Sequence, residues 1–290
     1  MTTTMTVLAP TTLRTGFLSR ERLLGRTVHY LVLSAIAIVT IYPFWWTLIT
    51  ALSTEGDVYA FPPPLLPTKP SLVNFVEVFK TIDLLAFYKN SILISVATVI
   101  GTLVICSLAA YPLARMQFPG RKLVFGAIVA TMILPSEVNF LINFVTIAKL
   151  GLTDTVSGVV LPNLAGAVGI FLMKQAFEAV PQDLIDAARV DGANEWQVFW
   201  KIMLPLAKPA LGALTILTVV TAWNQYIWPS VVMTSPDKFP LSVGVLYLAG
   251  AFSFKTRVVA AGAVLTVLPI LIVFLFTQRY FLRGFEGAVK

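Results

Sequence analysis

Apolar positions gather into six long runs, and polar positions fall mostly between them. The runs cover residues 28–52, 87–110, 123–145, 155–177, 209–232 and 258–280. Each reaches the ~20 residues that a helix needs to cross a bilayer. Pro43 predicts a kink in the first run, and Pro135 a break or bend in the third. The pattern therefore predicts an all-α polytopic membrane protein with six transmembrane helices. Residues 1–27 precede the membrane domain, 28–280 form it, and 281–290 are a tail. The first run follows Arg14, Arg20, Arg22 and Arg26 in the manner of a signal peptide, but it is too long and lacks a small-residue cleavage site, so it reads as a retained anchor. No internal repeat is visible, which removes support for the inverted-repeat plan of many secondary transporters.

Charge orients the spans. Only 12% of the residues are charged against 57% hydrophobic, and mean hydropathy is +0.84; a soluble domain usually carries about 25% charged residues. All 21 Lys and Arg can be assigned to alternate loops. Fourteen lie on one side: Arg115, Arg121, Lys122, Lys174, Arg189, Lys201, Lys208, Arg279, Arg283, Lys290 and the four N-terminal arginines. Seven lie on the other: Lys69, Lys80, Lys89, Lys149, Lys238, Lys255 and Arg257. The positive-inside rule then places both termini in the cytoplasm. Because the basic residues form no single block, a nucleic-acid partner is not expected. On the outer side, the prolines of "FPPPLLPTKP" favour an extended path, and "SLVNFVEVFK" reads as a short amphipathic surface helix.

One polar insert interrupts this scheme, at about 178–208 between the fourth and fifth runs. It contains "DLIDAARVDGANEWQVFWKIMLPLAKP". Pro181 suits a first helical position, and Asp183 and Asp186 sit where the helix dipole favours acids. Asp186 and Arg189 are spaced to pair. Ala187 and Ala188 are small enough for another backbone to approach. Gly192 is placed as a C-terminal cap in the left-handed conformation. Asn194 and Gln197 form a capping box for a second helix, which carries Trp196, Phe199, Trp200 and Met203 on its apolar face. Pro205 ends or kinks it before the fifth run. The insert is either a well-capped connector or a rigid docking unit; its exposed small residues, acids and aromatics favour docking.

Candidate chemistry inside the membrane is sparse. Glu137 in "LPSEVNFLINF" is the clearest ionisable group at depth. It lies roughly 21 Å along the third run at 1.5 Å per residue, and Asn224 roughly 22 Å along the fifth. Trp223, Asn224, Gln225 and Tyr226 thus come to the depth of Glu137, and Asn139 and Asn143 stand four apart on one face. Amides, a carboxylate and aromatic rings suit a sugar or polyol. The alternative is that these groups bond neighbouring helices, lie in the outer interface, or (for Glu137) cap the helix after Pro135. Cys106 and His29, each the single residue of its kind, read as structural. No catalytic constellation, metal-ligand spacing or cofactor motif is present, and a G-x-x-x-x-G-K-[ST] phosphate loop is absent.

The stretch "DAARVDGANEWQVFWKIMLPLAKP" resembles the EAA motif of permease subunits of bacterial ABC importers. Asp186, Ala187, Ala188, Gly192, Leu204 and Pro205 occupy the motif positions, with Asp186 where the family usually has Glu. "NSILISVATVIGTLVICSLAAYPLARMQFPGR", "GLTDTVSGVVLPN" and "AWNQYIWP" are similar to the carbohydrate-uptake class, specifically its smaller six-span subunit. The resemblance implies a type I ABC importer permease fold in a bacterial inner membrane, with the EAA helix seated in a groove on an ATPase. It implies as partners a second permease subunit in a hetero-dimer, two cytoplasmic ATPase subunits that hold ATP and Mg, and an extracytoplasmic solute-binding protein. The chain would be no enzyme itself and would form half of a path for a sugar, oligosaccharide or polyol. Glycerol-3-phosphate or a glycerophosphodiester is the alternative cargo. An ion-coupled secondary transporter is the competing class, for which one lone intramembrane acid is too few.

Overall fold

The computed structural model describes residues 17–251 and 255–286, with backbone alone at 17–24, 136–137, 247, 249, 251 and 276–286. Among the described residues the regular elements are helical. They are α1 (Phe17–Leu52), α2 (Val73–Thr81), α3 (Leu84–Arg115), α4 (Arg121–Ala130), α5 (Phe140–Lys149), α6 (Val156–Val160), α7 (Ala167–Glu178), α8 (Gln182–Val190), α9 (Glu195–Val198), α10 (Leu204–Leu206), α11 (Lys208–Asn224), α12 (Ile227–Val232), α13 (Leu241–Ala251) and α14 (Thr256–Glu286).

Three helices are long and apolar enough to cross a membrane unaided: α1 from Gly25, α3, and α14 as far as Leu275. α1 runs through Pro43 without interruption. Two bent pairs bring the number to five. Val156–Asn163 meets Ala167–Glu178 at 52°, and Glu195–Leu206 meets Lys208–Asn224 at 74°. The third apolar run is broken where Pro135 predicts. α4 tightens into a 3₁₀ turn at Thr131–Ile133, Leu134 is extended (ψ 127), and a second turn leads into α5. A residue before proline is pushed out of the α region, which is the cause of this break.

The interrupted helices stack as two tiers around α3, which alone passes through both. In the lower tier Cys106, Ala110 and Tyr111 of α3 pack against Ile170, Met173 and Phe177 of α7, with Ile185, Val198, Phe199 and Met203 below them. In the upper tier Ile94 of α3 meets Ile147, Val159, Trp228 and Val232, from α5, α6 and α12. A third cluster joins Leu84 and Phe87 of α3 to Trp223, Leu241, Leu248 and Ala261. α13 belongs to it and was not expected from the sequence. Its 11 residues are too few to span, so the apolar pattern counted them as loop.

Polar contacts gather described loops at two ends: Arg115 and Arg121 meet the 174–195 segment at one, and at the other Lys238 meets Asp154 while Asn90 donates to the Asp237 carbonyl. At the lower end Lys174 is nearly buried, yet it reaches Glu178 at 2.6 Å and lies 4.3 Å from the Phe125 ring centroid. These partners compensate a charge that would otherwise be costly to desolvate. At the upper end Asp154 closes a clasp between the α5–α6 and α12–α13 loops. Its carboxylate accepts from Lys238 Nζ (2.7 Å), Ser235 Oγ (2.6 Å) and the backbone N–H of Thr234 and Ser235 (3.0 Å each).

Those donors, Lys238 first, hold the Asp154 carboxyl well below its ordinary value, and the Asp154 carboxylate in turn raises that of Lys238. A depressed carboxyl contributes stability that is complete above its unfolded-state value and is lost only as pH falls through the lower folded-state value. Protection of the Thr234 and Ser235 amides against hydrogen exchange, corrected for intrinsic rates, should therefore persist through the pH range in which ordinary carboxylates titrate. Asp154→Ala should abolish it at neutral pH and expose the Lys238 peptide bond to trypsin.

Candidate functional site

Helix interruption at membrane depth frees backbone groups that lipid cannot satisfy, so such breaks occur where protein or a wet cavity receives them. The α6–α7 break leaves Gly166 extended (ψ 129), and the α11–α12 break leaves Gln225 extended (ψ 117). Side chains join the two breaks. Gln225 Nε2 donates to Asn163 Oδ1 at 3.2 Å, and Asn163 Nδ2 lies 3.4 Å from Gln225 Oε1. Asn163 also donates to the Val159 carbonyl (2.8 Å), and Ser242 Oγ donates to the Gln225 carbonyl (2.8 Å). On the α3 side the Cys106 thiol faces the carbonyls of Leu164 and Gly166, at 3.8 Å each. Gly169 permits that approach, since a Cβ there would stand 2.7 Å from Cys106 Sγ.

Beside these breaks lies a cavity of about 330 Å³ between α3, the start of α7 and α11. Its lining is mostly apolar, with Val168, Leu214, Leu217 and Ala222, and Thr98, Thr102, Thr218, Thr221, Asn163 and Gln225 set polar groups among them. Thr98 and Thr221 donate to carbonyls of their own helices. Thr102 is 5% exposed and its hydroxyl has no partner. The lining thus combines apolar side chains with a few hydroxyls and amides, and holds no Lys, Arg, Asp or Glu. A separate cleft of about 440 Å³ opens at the upper end, between the loop after α1, α2 and the start of α14. It shares none of these residues. Among the described residues no three His, Cys, Asp or Glu side chains gather around a possible metal position.

Of the residues singled out from sequence, Gln225 alone lines the cavity. Trp223 points away from it: the indole is 7% exposed and donates to the Thr266 carbonyl of α14 at 3.2 Å. Asn224 is exposed and folds back on the Val220 carbonyl (2.8 Å), and Tyr226 is exposed. Asn139 is exposed and Asn143 half-buried. The side chain of Glu137 lies outside the described residues. The missed threonines carried a signal: Thr98 and Thr102 stand four apart, Thr218 and Thr221 three apart, and each pair shares a helix face.

The polar insert is a helix–turn–helix. α8 starts after Pro181 and ends in paired capping bonds, Ala193 N–H to Ala188 O (2.9 Å) and Gly192 N–H to Arg189 O (3.0 Å). Gly192 is left-handed, φ 85°. The pattern is a Schellman cap. Asn194 and Gln197 exchange capping-box bonds of 2.9 and 3.0 Å at the start of α9. Ile185 and Val198 are fully buried and seat the unit on the lower tier, while Leu184, Val190, Trp196 and Trp200 remain exposed. The two alanines divide: Ala187 is exposed, whereas Ala188 turns inward onto the lower core with Leu204. Pro205 does not make the bend. It lies inside the helical path after a π-turn at Phe199–Met203, whose wider register accommodates the missing N–H. The 74° turn falls at Ala207, just before Pro209 opens α11.

Around this unit, α3 supplies two groups that sequence reasoning missed. Tyr111 Oη donates to Glu195 Oε2 at 2.5 Å, and Arg115 Nε donates to the Phe177 carbonyl at 3.0 Å. Arg115 also reaches the Val180 carbonyl and Gln182 Oε1. Glu195 is held below its ordinary value, first by the Tyr111 hydrogen bond and then by Arg189.

Residues 101–286 match the family described as the binding-protein-dependent transport system inner membrane component. The chain belongs to this family. Over 243 residues the permease is 36% identical to the arabinooligosaccharides transport system permease protein AraQ of Halalkalibacterium halodurans, which covers 83% of this chain and 86% of that one. Over 270 residues it is 30% identical to the sn-glycerol-3-phosphate transport system permease protein UgpE of Yersinia pestis, covering 90% and 96%. It superposes with a TM-score of 0.79 and 27% identity on a chain of a bacterial ABC transporter involved in the import of the acidic polysaccharide alginate, over 94% of this permease and all of that chain. The resemblance read from the EAA-like stretch thus holds at the level of the family and the fold.

The cavity should admit water. Thr221→Cys, exposed at its mouth, should react with a small hydrophilic thiol reagent in the folded permease, whereas native Cys106, fully buried, should stay unlabelled until the protein is denatured. Mass spectrometry of the labelled chain measures both.

Proposed function

We propose that this chain is one of two permease subunits of an ATP-driven importer for a sugar, oligosaccharide or polyol, and that it forms half of the translocation path. The observation that carries this reading is the rigid unit at 182–206. It presents Leu184, Val190, Trp196 and Trp200 to solvent beside Ala187, at the end of the molecule that collects the basic loops. An exposed apolar patch on a stiff, well-capped element suits a protein partner. In this reading the partner is an ATPase, two copies of which serve the assembled importer and hold ATP and Mg. The motif positions Asp186, Ala187, Gly192 and Pro205 shape the docking unit, while Ala188 and Leu204 anchor it to the lower tier.

The lower end is then cytoplasmic and the chain crosses a bacterial inner membrane six times, with both termini inside. The α4–α5 segment, broken at Pro135, supplies the crossing that length and hydropathy alone do not count. Residues 28–280 form the membrane domain, 178–208 the coupling loop, and 1–27 and 281–290 the cytoplasmic ends. A second, different permease subunit completes the path, and a solute-binding protein delivers cargo at the upper face, as the family's description supports. Glu137, Asn139, Asn143, Asn224, Gln225 and Tyr226 remain the path candidates, joined by the cavity threonines. Trp223 serves them from behind by fixing the end of α11.

A glycerol phosphate is the second cargo, favoured by the 30% identity to a glycerol-3-phosphate permease. The cavity lining argues for the neutral ring. It holds apolar side chains with a few hydroxyls and amides and no cation, whereas a phosphate is usually met by Arg, Lys or a helix N-terminus.

Topology is tested with single cysteines in a Cys106→Ala background. Lys238→Cys should be labelled from outside intact cells, and Val190→Cys, 88% exposed, only after the inner face is opened. The reverse pattern overturns the orientation. Docking is tested at the turn. No atom lies within 4 Å of a Cβ built on Gly192, so a substitution there strains the backbone alone. Gly192→Val should cost about 1–2 kcal/mol locally and tilt α8 against α9. Ala187→Trp should block close approach from outside. Both variants should lose the ATPase on co-purification while the permease still folds. Retention of the ATPase at wild-type levels in both makes the unit a plain connector.

A further inference from the structure

Six side chains at the lower end close a ring. Arg115 Nη1 donates to Gln182 Oε1 (3.0 Å), and Gln182 Nε2 donates to Asp186 Oδ1 (3.0 Å). Arg189 Nη1 meets the same Asp186 oxygen at 3.3 Å, and its Nε and Nη2 donate to Glu195 Oε1 at 3.0 and 2.8 Å. Glu195 Oε2 accepts from Tyr111 Oη at 2.5 Å. Tyr111 and Arg115 stand four apart on α3, so one turn of that helix completes the circuit.

The ring spans three elements: α3, α8 and α9. Each carboxylate in it is shared between two donors, which polarises the bonds and fixes both partners at once. Arg115 does more, since it also bonds the carbonyls of Phe177 in the last turn of α7 and of Val180 just beyond it, where a helix end leaves acceptors to be satisfied. The Tyr111 ring is wedged edge-on against Phe177 and Phe199, with centroids 6.2 and 5.3 Å away. It is 5% exposed, so its hydroxyl cannot swing to another partner without repacking.

We propose that Tyr111 and Arg115 are positioning residues for coupling: they fasten the 182–206 unit to α3, so that the unit and this helix move as one rigid body. α3 then carries any displacement of the unit to the cavity, because Thr102 lies nine residues above Tyr111 on the same uninterrupted helix, a rise of about 14 Å. The inference rests on the reading that the unit docks an ATPase, and it adds which span receives the motion. Coupling claims need a measured dependence between the parts rather than proximity.

The test is a distance between spin labels at Asp183→Cys, on α8 away from the apolar patch, and Leu85→Cys, both exposed, in a Cys106→Ala permease assembled with its ATPase. It is measured without nucleotide and with ADP-vanadate. The expected result for the otherwise native chain is one narrow distance, the same in both states. Tyr111→Phe removes the hydroxyl and keeps the ring; Glu195→Gln keeps the volume and removes the charge. Each should replace the single distance by a broad distribution, and the double variant should broaden it by less than the two single effects added, because both weaken the Tyr111–Glu195 bond. The Tyr111→Phe complex should keep its ATPase and still hydrolyse ATP.

A narrow, unchanged distance in both single variants overturns the proposal, even if their thermal stability falls, since a purely structural role predicts that outcome. A native distance that shifts between nucleotide states overturns it too, because the unit would then slide against α3. If the ATPase fails to co-purify with the native chain, the docking reading falls instead. The ring is then judged by the width of the same distance in the isolated permease.

Discussion

Backbone polar groups inside a bilayer need partners, and lipid supplies none. That constraint orders this molecule. The described segments leave the helical path near membrane depth at Leu134, around Gly166 and at Gln225. Around the last two breaks the freed groups are answered within the chain. Asn163 and Gln225 bridge them, Cys106 faces the carbonyls of one, and Ser242 caps the carbonyl of the other. The cavity sits where these devices converge, and its location follows from the breaks: the amides in its lining are the ones that bridge them.

Interrupted helices would make a soft bundle if nothing ran past the interruptions. α3 does, with Leu84–Arg115 continuous through both tiers. It contributes Ile94 above, Cys106 and Tyr111 below, and Thr98 and Thr102 to the cavity between. Among the described side chains, the ion pairs and charged networks lie at the ends: the Asp154–Lys238 clasp above, and Lys174–Glu178 with the Arg115–Glu195 ring below. In the described interior, order comes from close packing and neutral hydrogen bonds, which cost less to desolvate than unpaired charge.

Local rules made much of this legible. Gly192, the Asn194–Gln197 box and the Pro135 break follow from backbone sterics that act within a few residues, and the structure has each of them. The charge count set Arg115, Arg121, Lys174 and Arg189 on one side, and contacts join their segments in the structure. What escaped is non-local. α13 is apolar but short, so hydropathy could not separate it from a loop. Ala187 and Ala188 look alike in sequence, and only packing against the lower tier distinguishes outward from inward. Trp223 shares a motif with Asn224 and Gln225, yet its indole finds the Thr266 carbonyl 43 residues away. The cavity threonines were visible as spaced pairs, but a Thr on a membrane helix usually bonds its own backbone, as Thr98 and Thr221 do. Their convergence required the relative placement of α3 and α11.

The lower end joins the membrane helices by two routes of unequal stiffness. The covalent route runs through Ala207 into α11. It crosses a π-turn and a 74° bend, and Pro205 and Pro209 remove two backbone donors from it. A joint with few internal hydrogen bonds takes up rotation easily. The other route runs through side chains, from α8 and α9 across Glu195 and Gln182 to Tyr111 and Arg115. It has a closed circuit of charged and neutral bonds and an aromatic wedge behind it. In the proposed docking reading, force applied to the 182–206 unit follows the stiffer connection. The chain therefore places a hinge toward α11, which bounds the cavity with Thr218 and Thr221, and a rigid link toward α3, which bounds it with Thr98 and Thr102. Displacing one wall while the other yields changes the width of the space between them, which is the mechanical requirement for opening a path through the bundle.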